Sequence, residues 1–375
     1  MKKNQTPCLF SYFFRMKSTA SIAFLLTLLP GLPVAFRLED LKVQAAYHVI
    51  YSYTGATPPT ELSTYIEQGL VGGVILFGDN VNDDLPAAVE GWQSAYAKSP
   101  AYNGTPLLIM TDQEGGEVRR LPGGPVSSEK EIGQASDPQQ AATQAGSDAA
   151  SALAAYNMNA NLAPVLDIFR TPGDFDDQYG RSYSQNATLA GICGAAFTTA
   201  QQGKGVLATA KHFPGLGSAS SDENTDEVPV QLNVSLHDIR FIDEVPYKAA
   251  IAAGLDMVMP SWALYPAFDT EYPAGLSEKW IQHELRGRLG FKGVTISDAI
   301  EAGALEAFGN DTNRAILASR AGMDIILAAA KNVTQGQEIV TALAKALSVG
   351  TLDRKAFDEA TSRILNMRKK LAKSA

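Results

Sequence analysis

The sequence predicts an α/β fold, a single (β/α)8 barrel of the TIM type. Eight short apolar runs recur after residue 45, and helix-patterned segments separate them. A chain of 375 residues holds eight such units in one domain. No Gly-x-Gly-x-x-Gly turn follows the first run, which counts against the alternative of a doubly wound, dinucleotide-binding sheet.

In chain order the runs are AYHVIYS (46–52), GGVILFG (72–78), PLLIMTD (106–112), ANLAPVLD (160–167), GVLATAKH (205–212), LDMVMPS (255–261), GVTISDA (293–299) and MDIILAA (323–329). They are continuously apolar, as strands covered on both faces should be. Between them, PTELSTYIEQGL opens on Thr/Glu and stops at Gly. PQQAATQAGSDAASALAAYN is Ala-rich at helical spacing. SLHDIRFIDEVPYKAAIAAG and SEKWIQHELRGRLG both finish at Gly, a usual helix end. NRAILASRAG, QEIVTALAKALSVG and DRKAFDEATSRILNMRKKLAK complete the set. No linker or low-complexity tract interrupts the series, so one catalytic-type domain is expected over residues 36–375.

Hydrophobic residues make up 45% and charged residues 19%, an ordinary globular balance. The formal charge is −9, and four cations (Lys2, Lys3, Arg15 and Lys17) fall in the first 35 residues, so the body is more acidic still. Such a surface argues against nucleic acid and anionic membranes as partners. The stretch IAFLLTLLPGLPVAF is too short for a comfortable membrane span and carries Pro30 and Pro33. Residues 1–35 read as a secretory signal segment starting at Met1 or Met16, with a small-residue site near Ala35. That predicts a secreted chain without stable membrane insertion; an uncleaved signal anchor is the alternative. Beyond this segment, Asn-x-Ser/Thr sequons begin at Asn103, Asn186, Asn233, Asn310 and Asn332, and surface loops are expected there. Cys8 lies in the removable segment, which leaves Cys193 alone and no intramolecular disulfide.

Barrel chemistry sits at the C-terminal ends of the strands. There the sequence places Thr111-Asp112 followed by QEGGEVRR, Asp167 with the loop GDFDDQYGRSYS, Lys211-His212, Pro260-Ser261-Trp262, and Ser297-Asp298. A carboxylate ending a buried apolar strand is costly unless paired or functional. Singly, each reads as a helix cap or a satisfied ion pair; together on one rim they read as a polar pocket. The four histidines form no H-x-x-H or H-E-x-x-H pattern, so no metal is expected. No G-x-S-x-G elbow appears either. What remains is carboxylate chemistry with cationic anchors, the usual equipment for glycoside hydrolysis.

The segment KHFPGLG, ending the fifth run, resembles the KHFPG-x-G signature of glycoside hydrolase family 3, and within it the single-domain β-N-acetylglucosaminidase branch. VGGVILF, TDQEGGEVRRL, NANLAPVLDI, GRSYS, GFKGVTISDAIEAGAL and AGMDIILA resemble further family blocks, in family order. The resemblance implies a (β/α)8 barrel, a carbohydrate substrate, no cofactor, and retaining hydrolysis through a covalent glycosyl-enzyme. It implies Asp298 as nucleophile and Asp112, Arg120, Arg181, Lys211 and His212 as sugar-binding residues. Lys211 is expected to lower the Asp298 pKa. For Arg120 the competing role is an ion pair with Glu114 or Glu117.

The chain departs from the family in the next loop. Where the branch carries an Asp-Ser-His acid/base, this sequence has Asp222-Glu223-Asn224, and Asn exchanges no proton near neutral pH. Leu216 also stands where the signature often has His. A loop carboxylate is therefore expected as acid/base: Asp226 first, with Glu223 and Asp222 as alternatives. Repulsion among the loop acids is expected to raise one pKa, and a retaining pair stands about 5–5.5 Å apart. Phosphorolysis or transglycosylation, β-glucosidase activity (whose family members usually carry a second, sandwich domain), and noncatalytic carbohydrate binding stay open, as does oligomeric state.

Overall fold

Eight parallel strands close on themselves in a computed structural model that describes residues 34–372. In chain order the strands are β1 (Val49–Tyr51), β2 (Gly73–Ile75), β3 (Leu108–Thr111), β4 (Gln113–Gly115), β5 (Val118–Arg119), β6 (Ala160–Asn161), β7 (Leu207–Phe213), β8 (Met257–Pro260), β9 (Val294–Ala299) and β10 (Ile325–Leu327). The barrel runs β1-β2-β3-β6-β7-β8-β9-β10 and back to β1, every neighbour parallel. All eight expected strands are present. A helix follows each of them, such as Thr60–Glu67 after β1 and Val333–Ser348 after β10.

Side-chain alternation explains the unbroken apolar runs. Ile50, Ile75, Leu108, Met110, Leu207, Met257, Val294, Ile296 and Ile325 fill the barrel interior. Their neighbours Val49, Tyr51, Val74, Ile109, Ala208, Val258 and Ile326 pack outward against the helices. The C-terminal helix Arg354–Leu371 seals the N-terminal end of the barrel, where its Ile364, Met367 and Leu371 join the interior cluster. Its cations reach groups just ahead of strands: Arg363 bonds Asp324 at 2.7 Å, Arg368 bonds the Gly72 carbonyl, and Lys370 pairs with Asp256. The opposite, C-terminal mouth stays open.

The short antiparallel β4–β5 hairpin was not legible in the sequence pattern. Its turn uses Gly115 at φ 126° and Gly116 at φ 56°, a region that favours glycine. A Cβ on Gly115 would also stand 2.4 Å from the Ser127 carbonyl oxygen.

The signal segment expected over residues 1–35 lies outside the described residues, apart from the start of the helix Val34–Ala46. Among the described residues no helix is long and apolar enough to cross a membrane. All five sequon asparagines are exposed. Asn186, Asn310 and Asn332 serve as helix N-caps through Oδ1.

Candidate active site

The open mouth of the barrel holds a pocket of about 430 Å³, within the usual range for small-ligand sites. One wall is a chain of alternating charges. Lys211, at the end of β7, donates to Asp112 Oδ1 at 2.7 Å and lies 2.7 Å from Glu114 Oε1. Arg181 grips the same Glu114 through Nε and Nη2 at 2.8 and 3.0 Å, and donates Nη1 to Asp176 at 2.8 Å. Burial alone would raise the Glu114 carboxyl pKa; Arg181 and Lys211 outweigh it and pull the value to about 2. Burial likewise opposes the Lys211 charge, but Asp112 and Glu114 more than offset that and keep the ammonium protonated.

His212 sits beside Lys211 because the β7–β8 register shifts between Lys211 and Phe213, which aims consecutive side chains at one pocket. Its Nδ1 contacts Asp167 Oδ2 at 2.7 Å, and its Nε2 lies 4.0 Å from Asp298 Oδ2. Burial lowers the imidazole pKa, which favours the neutral ring. Asp167 also accepts the backbone amides of His212 and Leu216, the latter at 2.6 Å, and so ties the KHFPGLG turn to the barrel. Burial pushes Asp167 and Asp176 up to about 6 each.

Asp167, Asp176 and His212 offer ligand atoms within 4.8 Å of one another, close enough for an ion. Asp176 Oδ1 accepts from Arg181, and Asp167 accepts two backbone amides and contacts His212, while Asp176 Oδ2 is buried without a hydrogen bond among the described residues.

Asp298, near the end of β9, keeps 22% of its side-chain surface toward the pocket. Its Oδ1 accepts the Ala299 amide at 2.7 Å. Its pKa is raised, first by burial and then by the Asp226 charge; His212, the Ala299 amide and Lys211 act against this. This corrects the expectation that Lys211 would lower it below the ordinary value. The Lys211 ammonium is spent on Asp112 and Glu114, and desolvation wins at Asp298.

Across the pocket the loop after KHFPGLG brings Asn224, Thr225 and Asp226 to the mouth. Asn224, aligned with the missing histidine, turns its Oδ1 back to the Asp226 amide at 3.0 Å. Asp226 keeps contact with solvent, yet the protein around its carboxyl raises its pKa, helped by Glu301 and Asp112 and opposed by Arg181 and Lys211. The other loop acids are not the source. Glu223 accepts the Ser220 amide and hydroxyl at 2.7 and 2.9 Å, and Asp222 accepts the same hydroxyl at 3.1 Å. Both acids close a local turn and do not line the pocket.

The pocket thus gathers Asp112, Arg120, Arg181, Lys211, His212, Asp226 and Asp298, and leaves out Asp222 and Glu223. Arg120 has no carboxylate partner among the described residues, and its Nε is buried without a hydrogen bond. It is therefore open to a ligand rather than held by Glu114 or Glu117. Sequence reasoning missed the roles of Glu114, Asp176 and Glu301. Glu114 was visible as a second acid in the DQEGGEVRR block, but only the hairpin turns it inward. Glu301 follows Asp298 by three residues and lines the pocket, with its Oε2 held by the Ala329 amide and Gln335 at 3.2 and 3.0 Å.

A closed parallel barrel whose mouth sets carboxylates against fixed cations is the architecture of a glycosidase. Residues 38–367 match the family model described as the glycosyl hydrolase family 3 N terminal domain, and the chain belongs to that family. It is an enzyme that hydrolyses O-glycosyl bonds, and its substrate is a carbohydrate. An uncharacterised secreted glycosyl hydrolase of Arthroderma benhamiae is 54% identical over 333 residues, covering 89% of this chain and 94% of the relative. A beta-hexosaminidase of Tolumonas auensis is 37% identical over 267 residues, 69% of this chain and 75% of that protein. The solved family 3 beta-N-acetylglucosaminidase of Paenibacillus sp. FPU-7 superposes with a TM-score of 0.82 at 31% identity, over 89% of this chain and 63% of that one.

Proposed function

We propose that the protein is a secreted, retaining β-N-acetylglucosaminidase with Asp298 as nucleophile and Asp226 as acid/base. One observation carries the assignment: Asp226 and Asp298 line the same pocket, where the Asp226 charge raises the Asp298 pKa, while Asp222 and Glu223 are taken up by their own turn at Ser220. In the first step an Asp298 oxygen attacks the anomeric carbon, the bond to the leaving oxygen breaks, and Asp226 gives that oxygen its proton. In the second step Asp226 takes a proton from water, whose oxygen attacks the same carbon and releases Asp298. Lys211, Asp112, Arg181 and His212 supply a preformed hydroxyl-binding wall, and Arg120 offers a free fork to the acyl carbonyl. The hexosaminidase names of relatives support the N-acetyl preference. The basic, apolar leader and the secreted relative support export of a chain made with residues 1–35 as signal and 36–375 as catalytic domain.

The test compares aryl N-acetylglucosaminides and aryl glucosides, with and without phosphate. Turnover of the acetylated series, with water as acceptor, is expected; turnover of glucosides alone refutes the substrate assignment. Asp226→Asn should cost roughly 10²–10⁴-fold on poor leaving groups and far less on activated ones. Asp222→Asn and Glu223→Gln should change both by less than about threefold, since those acids touch only their own turn. If either of them shows the leaving-group pattern instead, Asp226 is not the acid.

A further inference from the structure

We infer that Gly303 is a positioning residue for the acid/base loop. The turn after the nucleophile strand is the seat on which that loop rests, and the seat requires a residue without a side chain. This rests on the assignment of Asp226 as acid/base.

The geometry is specific. The Gly303 amide donates to the Asp226 carbonyl at 2.8 Å, and the Ala304 amide donates to the Thr225 carbonyl at 3.1 Å. Two successive amides of one segment thus hold two successive carbonyls of the other. Thr225 is buried at this junction, although Asp226 and Glu227 just after it are exposed. A Cβ built on Gly303 would stand 2.1 Å from the Glu227 carbonyl oxygen and 2.5 Å from its carbonyl carbon. These are backbone atoms, so no rotamer change relieves the contact; the loop itself must move. The backbone of Gly303 does not lie in the left-handed region, in contrast to Gly309 at φ 86°. The glycine is therefore required by the approaching loop, not by its own conformation.

The consequence is mechanical. Asp298 lies five residues before Gly303, at the end of β9. Docking the loop on this segment fixes the acid relative to the nucleophile through one short rigid path. A local Asn224–Asp226 bond shapes the loop, and Gly303 places it. A displacement of about 1 Å in a catalytic group can cost on the order of 10²-fold.

Two measurements test this. In the native protein, hydrogen exchange should find the Gly303 and Ala304 amides protected well beyond the loop's own exposed amides; rapid exchange at both overturns the docked seat. In Gly303→Ala, kcat for poor-leaving-group aryl glycosides should fall at least about tenfold, with a much smaller fall on activated ones and little change in KM. Azide should partly restore the second step on activated substrates, as it should in Asp226→Ala. Equal losses on both substrate types without azide rescue overturn the positioning role. The two claims separate cleanly. If Asp226→Ala lacks the leaving-group pattern, the acid assignment fails. If Asp226→Ala shows it and a folded Gly303→Ala does not, only the seat fails.

Discussion

Glu114 is buried to 1% exposure and touches both cations of the pocket wall, so Glu114→Gln is a sharp probe of how the site is held. Removing one member of a buried ion pair costs roughly 3–5 kcal/mol when it strands the partner. Here neither cation is stranded: Lys211 keeps Asp112 and Arg181 keeps Asp176, which points to the lower end. The carboxyl pKa leads to the same size. A drop from 4.5 to about 2 corresponds to about 3 kcal/mol at neutral pH, at about 1.4 kcal/mol per unit. For a domain of this size that is roughly 4 °C in Tm. Because the folded-state pKa is depressed, the contribution is complete above pH 4.5 and is lost as pH falls toward about 2. The assay is thermal unfolding of both proteins from pH 7 down to pH 3, together with kcat/KM at neutral pH. The gap in Tm should narrow in acid, and kcat/KM should fall on the order of 10²-fold as Lys211 and Arg181 lose their register. A variant that melts within about 1 °C of wild type at pH 7, or a gap that widens in acid, refutes the reasoning.

The raised pKa values of Asp298 and Asp226 predict a bell-shaped kcat/KM profile, with activity lost below the Asp298 pKa and above that of Asp226. Asp226→Asn should remove the alkaline limb for activated substrates, and a limb that persists unchanged argues against that acid. Arg120→Met should weaken binding of an N-acetylated product by about 10–100-fold, read by titration calorimetry, because it removes a guanidinium whose Nε is buried without a hydrogen bond among the described residues. Equal affinity in the variant would place the acyl group elsewhere. At Asn332, Thr334→Ala should remove any glycan added in a eukaryotic host while leaving Tm within about 1 °C, because the cap bond runs from the Thr334 backbone amide to Asn332 Oδ1 at 3.0 Å. Mass spectrometry and thermal melting of the secreted chain check both halves.

The barrel was legible in the sequence because it rests on local order. Each strand is a continuous apolar run, one face turned to the interior and the other to a helix, and a period of that kind survives without knowledge of partners. The same logic placed Asp112, Lys211, His212 and Asp298 on one rim, since they end strands that must all point the same way. Tertiary structure decided what lay between those ends. Glu114 and Asp176 became the braces of Lys211 and Arg181 only when a glycine hairpin and a distant loop converged on one volume. Asp222, Glu223 and Asp226 are nearly adjacent in sequence, and composition treats them alike. A turn around Ser220 consumes the first two, and a backbone seat at Gly303 holds the third over the pocket. The sign of the Asp298 shift was beyond the sequence for the same reason. A pKa depends on which charges lie nearest and how much solvent is displaced, and Lys211 turned out to be committed to other carboxylates.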